Sequence, residues 1–520
     1  MVDGPVAGRS LRDVVFIRTF RVGPYVACAA IVFLTSCATY ESAATDVAHA
    51  IDDWRRPQRV LSQASIACSR PAGHVSSTTE ASLSVGVTPD AAPTPRSVLQ
   101  QHVLEALAQN PSVKAAVAHV EATLARIPQV TALADPVLRT IVRPEPIQTA
   151  AGDVFFALGV GQKLPLPAKL DRAGRIATAE VRMAIEQLNA TRLRVISDVE
   201  RAYYQLYLTD RSLELTTINR QLLSELEQVV ASRYRVGKAQ QQDLLKVQTE
   251  LSSLLNDERR YTQLRTSAQA ALNQLLDRPL GSDVPTIGLV TPSVMGVRIE
   301  ALMTLAEKHN PELAKLMHQA ERDQERIALA DLGYWPDLDV GFEWSYVKGR
   351  PAWIPPIDPE TGKRPPINRK SEKGDDNWAL MFQVNVPIWF EKIEASKREA
   401  RRNLDKTQHE HRAARNLVGF RIHDAWARVQ VRQDAIELLE TTLIPQATQA
   451  YRVSLVAYEA GRTSFITVID NWRQMFAFEL MLHREVAELE MALSDLQREV
   501  GVELVRDKWV SERSEDGVSQ

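Results

Sequence analysis

The chain has 520 residues and a formal net charge of −3, from 62 basic and 65 acidic side chains. That balance leaves no electrostatic footprint for nucleic acid, and 45% apolar residues argue against broad disorder. Three cysteines, Cys28, Cys37 and Cys68, allow one disulfide at most and show no metal-ligand spacing.

Arg9, Arg12, Arg18 and Arg21 precede an apolar run from Tyr25 to Leu34. The run is short for a bilayer span but has the length of a signal-peptide core. It ends in Leu34-Thr35-Ser36-Cys37, an order that resembles the bacterial lipobox. The resemblance implies a signal peptide over 1–36 and a lipidated Cys37. Ala38 stands where inner-membrane retention favours aspartate, so the resemblance points to the outer membrane. An ordinary signal peptide, or a start codon chosen too far upstream, is the alternative. Residues 37–95 are rich in Ala, Ser, Thr and Pro and read as a mostly extended, lipid-anchored tail, with Cys68 an incidental thiol.

The next element is a helix interrupted at Asn110-Pro111. Val154, Phe156, Leu158 and Val160 then alternate with Ala157, Gly159 and Gly161, a strand signature, and a partner strand lies near Val137 to Val142. Pro167 and Pro279 bracket 111 proline-free residues with two glycines, Gly174 and Gly237. Such a run reads as long helices. Ala168 to Val236 alone would extend roughly 100 Å at 1.5 Å per residue. From Leu244, the positions Val247, Leu251, Leu254, Tyr261, Leu264, Ala268, Leu272 and Leu275 follow 3–4 spacing and ask for a neighbouring helix.

The same order then returns. Asn310-Pro311 repeats Asn110-Pro111 at an offset of 200, Ala425-Trp426 repeats Ala202-Tyr203 at 223, and Ala460-Gly461 repeats Val236-Gly237 at 224. An insertion over Lys348–Asp376 accounts for the jump, and the shared order indicates an internal duplication. The second strands are sharper. Leu338, Val340, Phe342, Trp344 and Tyr346 alternate with Asp339, Gly341, Glu343 and Ser345. Leu380, Phe382, Val384 and Val386 alternate with Met381, Gln383 and Asn385. One apolar face ending in aromatics (Trp335, Trp344, Tyr346, Trp378, Trp389) suits strands in lipid with interfacial girdles, the other face lining water. Lys348–Asp376, with six prolines and twelve charges, reads as an exposed loop, extracellular in a membrane barrel. Leu482, Val486, Leu489, Leu493, Leu496 and Val500 close the chain's second hairpin with a heptad seam.

Chemistry-bearing motifs are scarce. His409-Glu410-His411 places its histidines on different faces of a helix, and Gly159-Val160-Gly161 lacks the third glycine and acidic residue of a nucleotide site. No catalytic residue, cofactor or metal is expected.

Two copies of helix, strand pair, long helix, turn and coiled-coil helix resemble the TolC family of outer-membrane efflux proteins, over about Pro95 to Leu504. The resemblance rests on Asn110-Pro111 and Asn310-Pro311, and on the passages Val160-Gly161-Gln162-Lys163-Leu164-Pro165 and Phe382-Gln383-Val384-Asn385-Val386-Pro387. It rests also on the tips Arg233-Tyr234-Arg235-Val236-Gly237 with Asp243 and Ala457-Tyr458-Glu459-Ala460-Gly461 with Asp470. It implies a mainly α fold with a membrane β part: a coiled-coil helical barrel continued by a transmembrane β-barrel shared by a homotrimer, four strands per subunit. Four strands cannot close a barrel alone, which agrees with a shared one. The implied organisation is a first efflux repeat over 96–285, a second over 286–505 and a polar tail over 506–520. The implied partners are outer-membrane lipid, a periplasmic adaptor and an inner-membrane pump. The adaptor would dock at Val236, Gly237, Ala460 and Gly461. Family members often carry two gate aspartates, six and nine residues after the second tip glycine. Here those positions are Thr467 and Asp470, so only one matches, and Asp243 belongs to the first tip. A periplasmic lipid-anchored adaptor or scaffold, or an exit duct for protein secretion, stands as the alternative.

Overall fold

The computed structural model describes residues 95–149, 151–350, 354–366, 374–504 and 507–508. The leader, Cys37, the tail up to residue 94 and the chain beyond 508 lie outside the described residues. In chain order the strands are β1 (Val137–Gln148), β2 (Asp153–Leu164), β3 (Ser293–Val294), β4 (Leu338–Lys348), β5 (Asn377–Val384) and β6 (Asp507–Lys508). The principal helices are α1 (Pro95–Gln109), α2 (Pro111–Leu124), α3 (Arg126–Thr131), α4 (Pro167–Arg235), α5 (Gln241–Leu275), α6 (Ile299–His309), α7 (Pro311–Asp331), α8 (Phe390–Leu438), α9 (Ile444–Glu459) and α10 (Phe465–Val500). The chain forms two compact units. One includes 127–175 and 332–390 and carries the four-stranded sheet. The other includes 176–331 and the chain from 391 and carries the helical hairpins.

The sheet is antiparallel throughout, in the order β1-β2-β4-β5. Each repeat supplies one hairpin, and β2 against β4 joins them. The register lays Leu138, Val160, Phe342 and Leu380 side by side, one residue per strand. Next to them run Thr140, Leu158, Trp344 and Trp378. The opposite face holds Val137, Gly161, Gly341 and Met381, then Arg139, Gly159, Glu343 and Ala379. The period-2 pattern of each strand thus adds up, across all four, to one apolar face and one mostly small or polar face. The apolar face stays open: Leu138 is 69% exposed, Trp378 65% and Phe382 68%.

Both edges of the sheet, β1 and β5, are unpaired among the described residues. β1 runs past the expected Val142 to Gln148, although Pro144 and Pro146 interrupt it and the register slips after Val142. Proline is tolerated there because an edge strand needs donors on one side only. β5 stops at Val384, short of the expected Val386. Asn385 instead turns its side-chain oxygen to the Asp337 backbone N–H, and Pro387 follows. Asp337 anchors this end of the sheet: Lys169 Nζ donates to its carboxylate at 2.7 Å, and Lys163 lies 3.8 Å away.

In the helical unit the duplication has a matching hydrogen-bond signature. Asn110 accepts the Ser112 N–H at 2.9 Å and donates to the Leu275 carbonyl at 2.9 Å. Asn310 accepts from Glu312 and Leu313 at 2.9 and 3.1 Å and donates to the Glu499 carbonyl at 2.7 Å. Each asparagine starts a short helix and satisfies an orphan carbonyl at the end of its hairpin's return helix. The seam of α10 is buried at Val486, Leu489, Leu493, Leu496 and Val500. The α5 seam is buried at Val247, Leu254, Ala268 and Leu272, but Leu264 is 39% exposed, and Leu245 and Leu255 are exposed elsewhere on the helix.

The change of repeat offset from 223 to 224 has a structural cause. Buried Val195, Val199, Leu206 and Thr216 of α4 match buried Val418, Ile422, Val429 and Leu439, all at 223. Beyond that, Leu223 and Val230 match buried Ala447 and Ser454, at 224. Between the two sets lies a π-helical turn, Leu439–Leu443, in which the Ile444 N–H reaches back five residues to Leu439. A π turn absorbs one inserted residue without rotating its flanks, so both halves of the helix keep their inward faces. We expect deletion of Thr442 to convert the turn to α-helix and leave membrane yield and thermal melting close to wild type. The same deletion at Thr217 of α4, which has no spare residue, rotates one flank by about 100° and should abolish accumulation. Equal damage from both deletions would remove this explanation.

Candidate functional site: the paired hairpin tips

The turns between α4 and α5 and between α9 and α10 have the same geometry. In the first, the Gly237 N–H bonds the Tyr234 carbonyl at 2.9 Å and the Lys238 N–H bonds Arg233 at 2.8 Å. In the second, Gly461 bonds Tyr458 at 2.8 Å and Arg462 bonds Ala457 at 2.8 Å. Gly237 and Gly461 have φ of 71° and 73°, the left-handed conformation such a helix end requires and a side chain resists. Val236 is 68% exposed at its tip.

The two tips touch. Arg233 donates to the Tyr458 and Glu459 carbonyls at 2.9 and 3.0 Å, satisfying the end of α9, and its guanidinium lies 5.0 Å from the Tyr458 ring centroid. Burial pushes the Tyr458 phenol up, Asp243 adds to that, and Arg233 opposes it. Behind the tips, Leu223, Leu226, Val230 and Val247 share one core with Tyr451, Phe465, Val468, Ile469 and Trp472. Trp472 Nε1 donates to Asn219 Oδ1 at 2.9 Å inside it. This apolar contact holds the first hairpin against the second.

The candidate gate residues occupy distinct roles. The Asp243 carboxylate accepts the Gln240 N–H at 3.3 Å and so caps α5. Thr467 holds the equivalent place in α10, where its hydroxyl lies 3.0 Å from that of Ser464. Asp470 sits one turn further in, its side chain 60% exposed. It is not alone: Arg473 approaches it at 3.5 Å and also binds Glu250 of α5, whose other cation is Lys246 at 3.9 Å. The hydrogen bond that Arg473 donates to Glu250 pushes the Arg473 pKa further up, so this cation is permanent. Glu250 and Arg473 were not singled out from the sequence, and Arg233 was named only as part of the tip motif, without a role. The i,i+3 spacing of Asp470 and Arg473 was the available signal for one of them; nothing local marks the other two.

A sheet with one continuous apolar face and two free edges, carried on a chain of paired helical hairpins, defines a membrane channel subunit. An adaptor has no use for such a sheet. The chain belongs to the outer membrane efflux protein family, whose sequence model matches residues 103–278 and 302–497. It is 20% identical over 403 residues to the cobalt-zinc-cadmium resistance protein CzcC of Cupriavidus metallidurans, covering 76% of this chain and 88% of the relative. Its fold is similar to that of the outer membrane protein VceC of Vibrio cholerae, with a TM-score of 0.62 and 16% identity over 78% of this chain and 96% of the other. It is likewise similar to the CmeC outer membrane channel of Campylobacter jejuni, with a TM-score of 0.62 and 14% identity over 83% and 94% of the two chains.

Proposed function

We propose that the protein is the outer-membrane exit duct of a tripartite efflux pump, working as a homotrimer and conducting substrate passively. The observation that carries this reading is the open sheet. In lipid an unpaired edge leaves peptide groups without partners, at several kcal/mol each. Four antiparallel strands place β5 of one copy antiparallel to β1 of the next, so copies can close a ring. The repeats are taken as 96–285 and 286–505, with the 348–376 loop opening to the exterior. The tips at Val236-Gly237 and Ala460-Gly461 meet the adaptor in the periplasm, and an inner-membrane pump supplies the energy. Because the relative CzcC is named for cobalt, zinc and cadmium resistance, a divalent-cation pump is the partner to test first. Cysteines scanned through β1 (137–142) against β5 (377–384) should give disulfide-linked bands that stop at three chains. Exclusively intrachain bonds, or a ladder ending elsewhere, would overturn the trimer.

Cys37 is the lipidation site in this reading, supported by the Leu34-Thr35-Ser36-Cys37 order. One acyl signal anchors only marginally, so it supplements the barrel. Labelled palmitate should enter the protein and be lost in Cys37→Ser, with the channel still in the outer membrane. Label that survives the substitution removes the assignment.

Asp470 lines the narrow mouth, repeated once per copy, and Arg473 tempers its charge. In planar bilayers Asp470→Asn should lower cation preference and block by multivalent cations, while Arg473→Gln should raise both, each by about twofold, as expected when roughly half a kcal/mol of partly screened charge is added or removed. Unchanged selectivity in both variants leaves these residues without a gating role.

A further inference from the structure

Away from the tips, α4, α8 and α10 enclose a cleft of about 360 Å³ lined by Arg194, Arg421, Asp424, Ala425, Arg428, Asp495, Arg498 and Glu499. Its carboxylates and guanidiniums are arranged in layers. Asp495 and Glu499 form the floor, with side chains only 12% and 9% exposed. Arg498 pairs with both, at 3.6 and 3.0 Å. Arg421 reaches Glu499 at 3.5 Å, and Arg428 lies 4.0 Å from Asp495 and 2.7 Å from Asp424. Outside the cleft proper, Arg201 also binds Asp495 at 3.0 Å, and Arg421 lies 3.9 Å from Glu312. The rim is basic. Arg194 is exposed and has no ion pair or hydrogen bond among the described residues.

The charges do not cancel. Four lining guanidiniums face three carboxylates, and adding Arg201 and Glu312 leaves the same single positive excess. A guanidinium carries five N–H donors in a fixed plane. The floor carboxylates pair with Arg421, Arg428 and Arg498 and leave part of the N–H capacity of these guanidiniums unused. Preorganised, cationic, multi-donor groups around a partly desolvated cleft are the chemistry that recognises an oxyanion. A cation is disfavoured there by the surplus charge, and an apolar ligand would leave buried carboxylates and guanidiniums facing it.

We propose that this cleft is a binding site for a small oxyanion, a phosphate or a carboxylate, held by Arg194, Arg421 and Arg428 with Arg498 beneath. The volume accommodates a phosphate with water around it or a small organic acid, and the shared chemistry is the oxyanion. The site is independent of the channel reading, since every lining residue lies in the helical unit. The test is calorimetric titration of the purified full-length assembly with inorganic phosphate and, separately, with citrate, against chloride at constant ionic strength. Saturable binding of either is expected, weakened at least fivefold in Arg194→Gln and undetectable in Arg194→Gln/Arg421→Gln, with melting in chloride unchanged. Preference for phosphate indicates a free inorganic ion and preference for citrate an organic solute. The proposal is overturned if neither anion saturates, or if the variants bind as wild type. It is also overturned if Arg194→Gln loosens subunit association without touching anion binding, because the missing partner is then a carboxylate of a neighbouring copy.

Discussion

In hydrocarbon a peptide N–H or C=O that finds no partner in the protein finds none at all. In the proposed reading the sheet unit lies under that constraint. The chain places two hairpins beside each other and pairs β2 with β4, which gives each inner strand a partner on both sides. It leaves the outer edges of β1 and β5 with donors and acceptors that find no strand partner among the described residues. In water such edges would be blunted by charge, a covering helix or proline. Here β5 instead offers Trp378, Leu380 and Phe382 on its apolar face, and they remain exposed. In the proposed trimer that face meets lipid and the edges meet another copy.

The helical unit solves a different problem with the same duplicated sequence. Its two hairpins are equivalent in their asparagine anchors, their glycine turns and their inward registers. They are not equivalent in the outgoing helix, because the second copy carries one more residue and a π turn to hold it. Pro445 follows at once and removes a further backbone donor. The second outgoing helix is therefore interrupted where the first, α4, runs unbroken for 69 residues.

Much of this was legible in the sequence, and the reasons differ by element. The strands could be read because alternation survives in Leu338 to Tyr346 whatever the neighbours do. The pairing of β2 with β4 could not, because period 2 says which face a residue takes and not which strand lies beside it. The long helix was visible as the absence of proline from 168 to 278. The offset change from 223 to 224 was visible too, but a single residue could have been a loop insertion, and only the backbone reveals a π turn. At the tips, glycine at 237 and 461 marked the turns from local conformational need. Arg233 was named in the tip motif, but its role was not legible because its partners, two carbonyls 225 and 226 residues away, carry no side-chain signature. Asp470 was read as a bare carboxylate; its Arg473 neighbour changes the charge it presents.

The strand row Arg139, Gly159, Glu343 bears on what a solute feels inside the proposed ring. The glycine between the two charged positions has no side chain, so cation and anion stand two strands apart on the water-facing wall, separated by roughly 10 Å at the usual strand spacing. Repeated in each copy, they make a belt of alternating sign. The potential of such a belt cancels over a distance comparable to its own repeat, and salt shortens that reach further. A charged molecule grazing the wall meets strong local fields, while one on the axis meets almost none. In the proposed ring this belt therefore adds no net charge to the mid-bore.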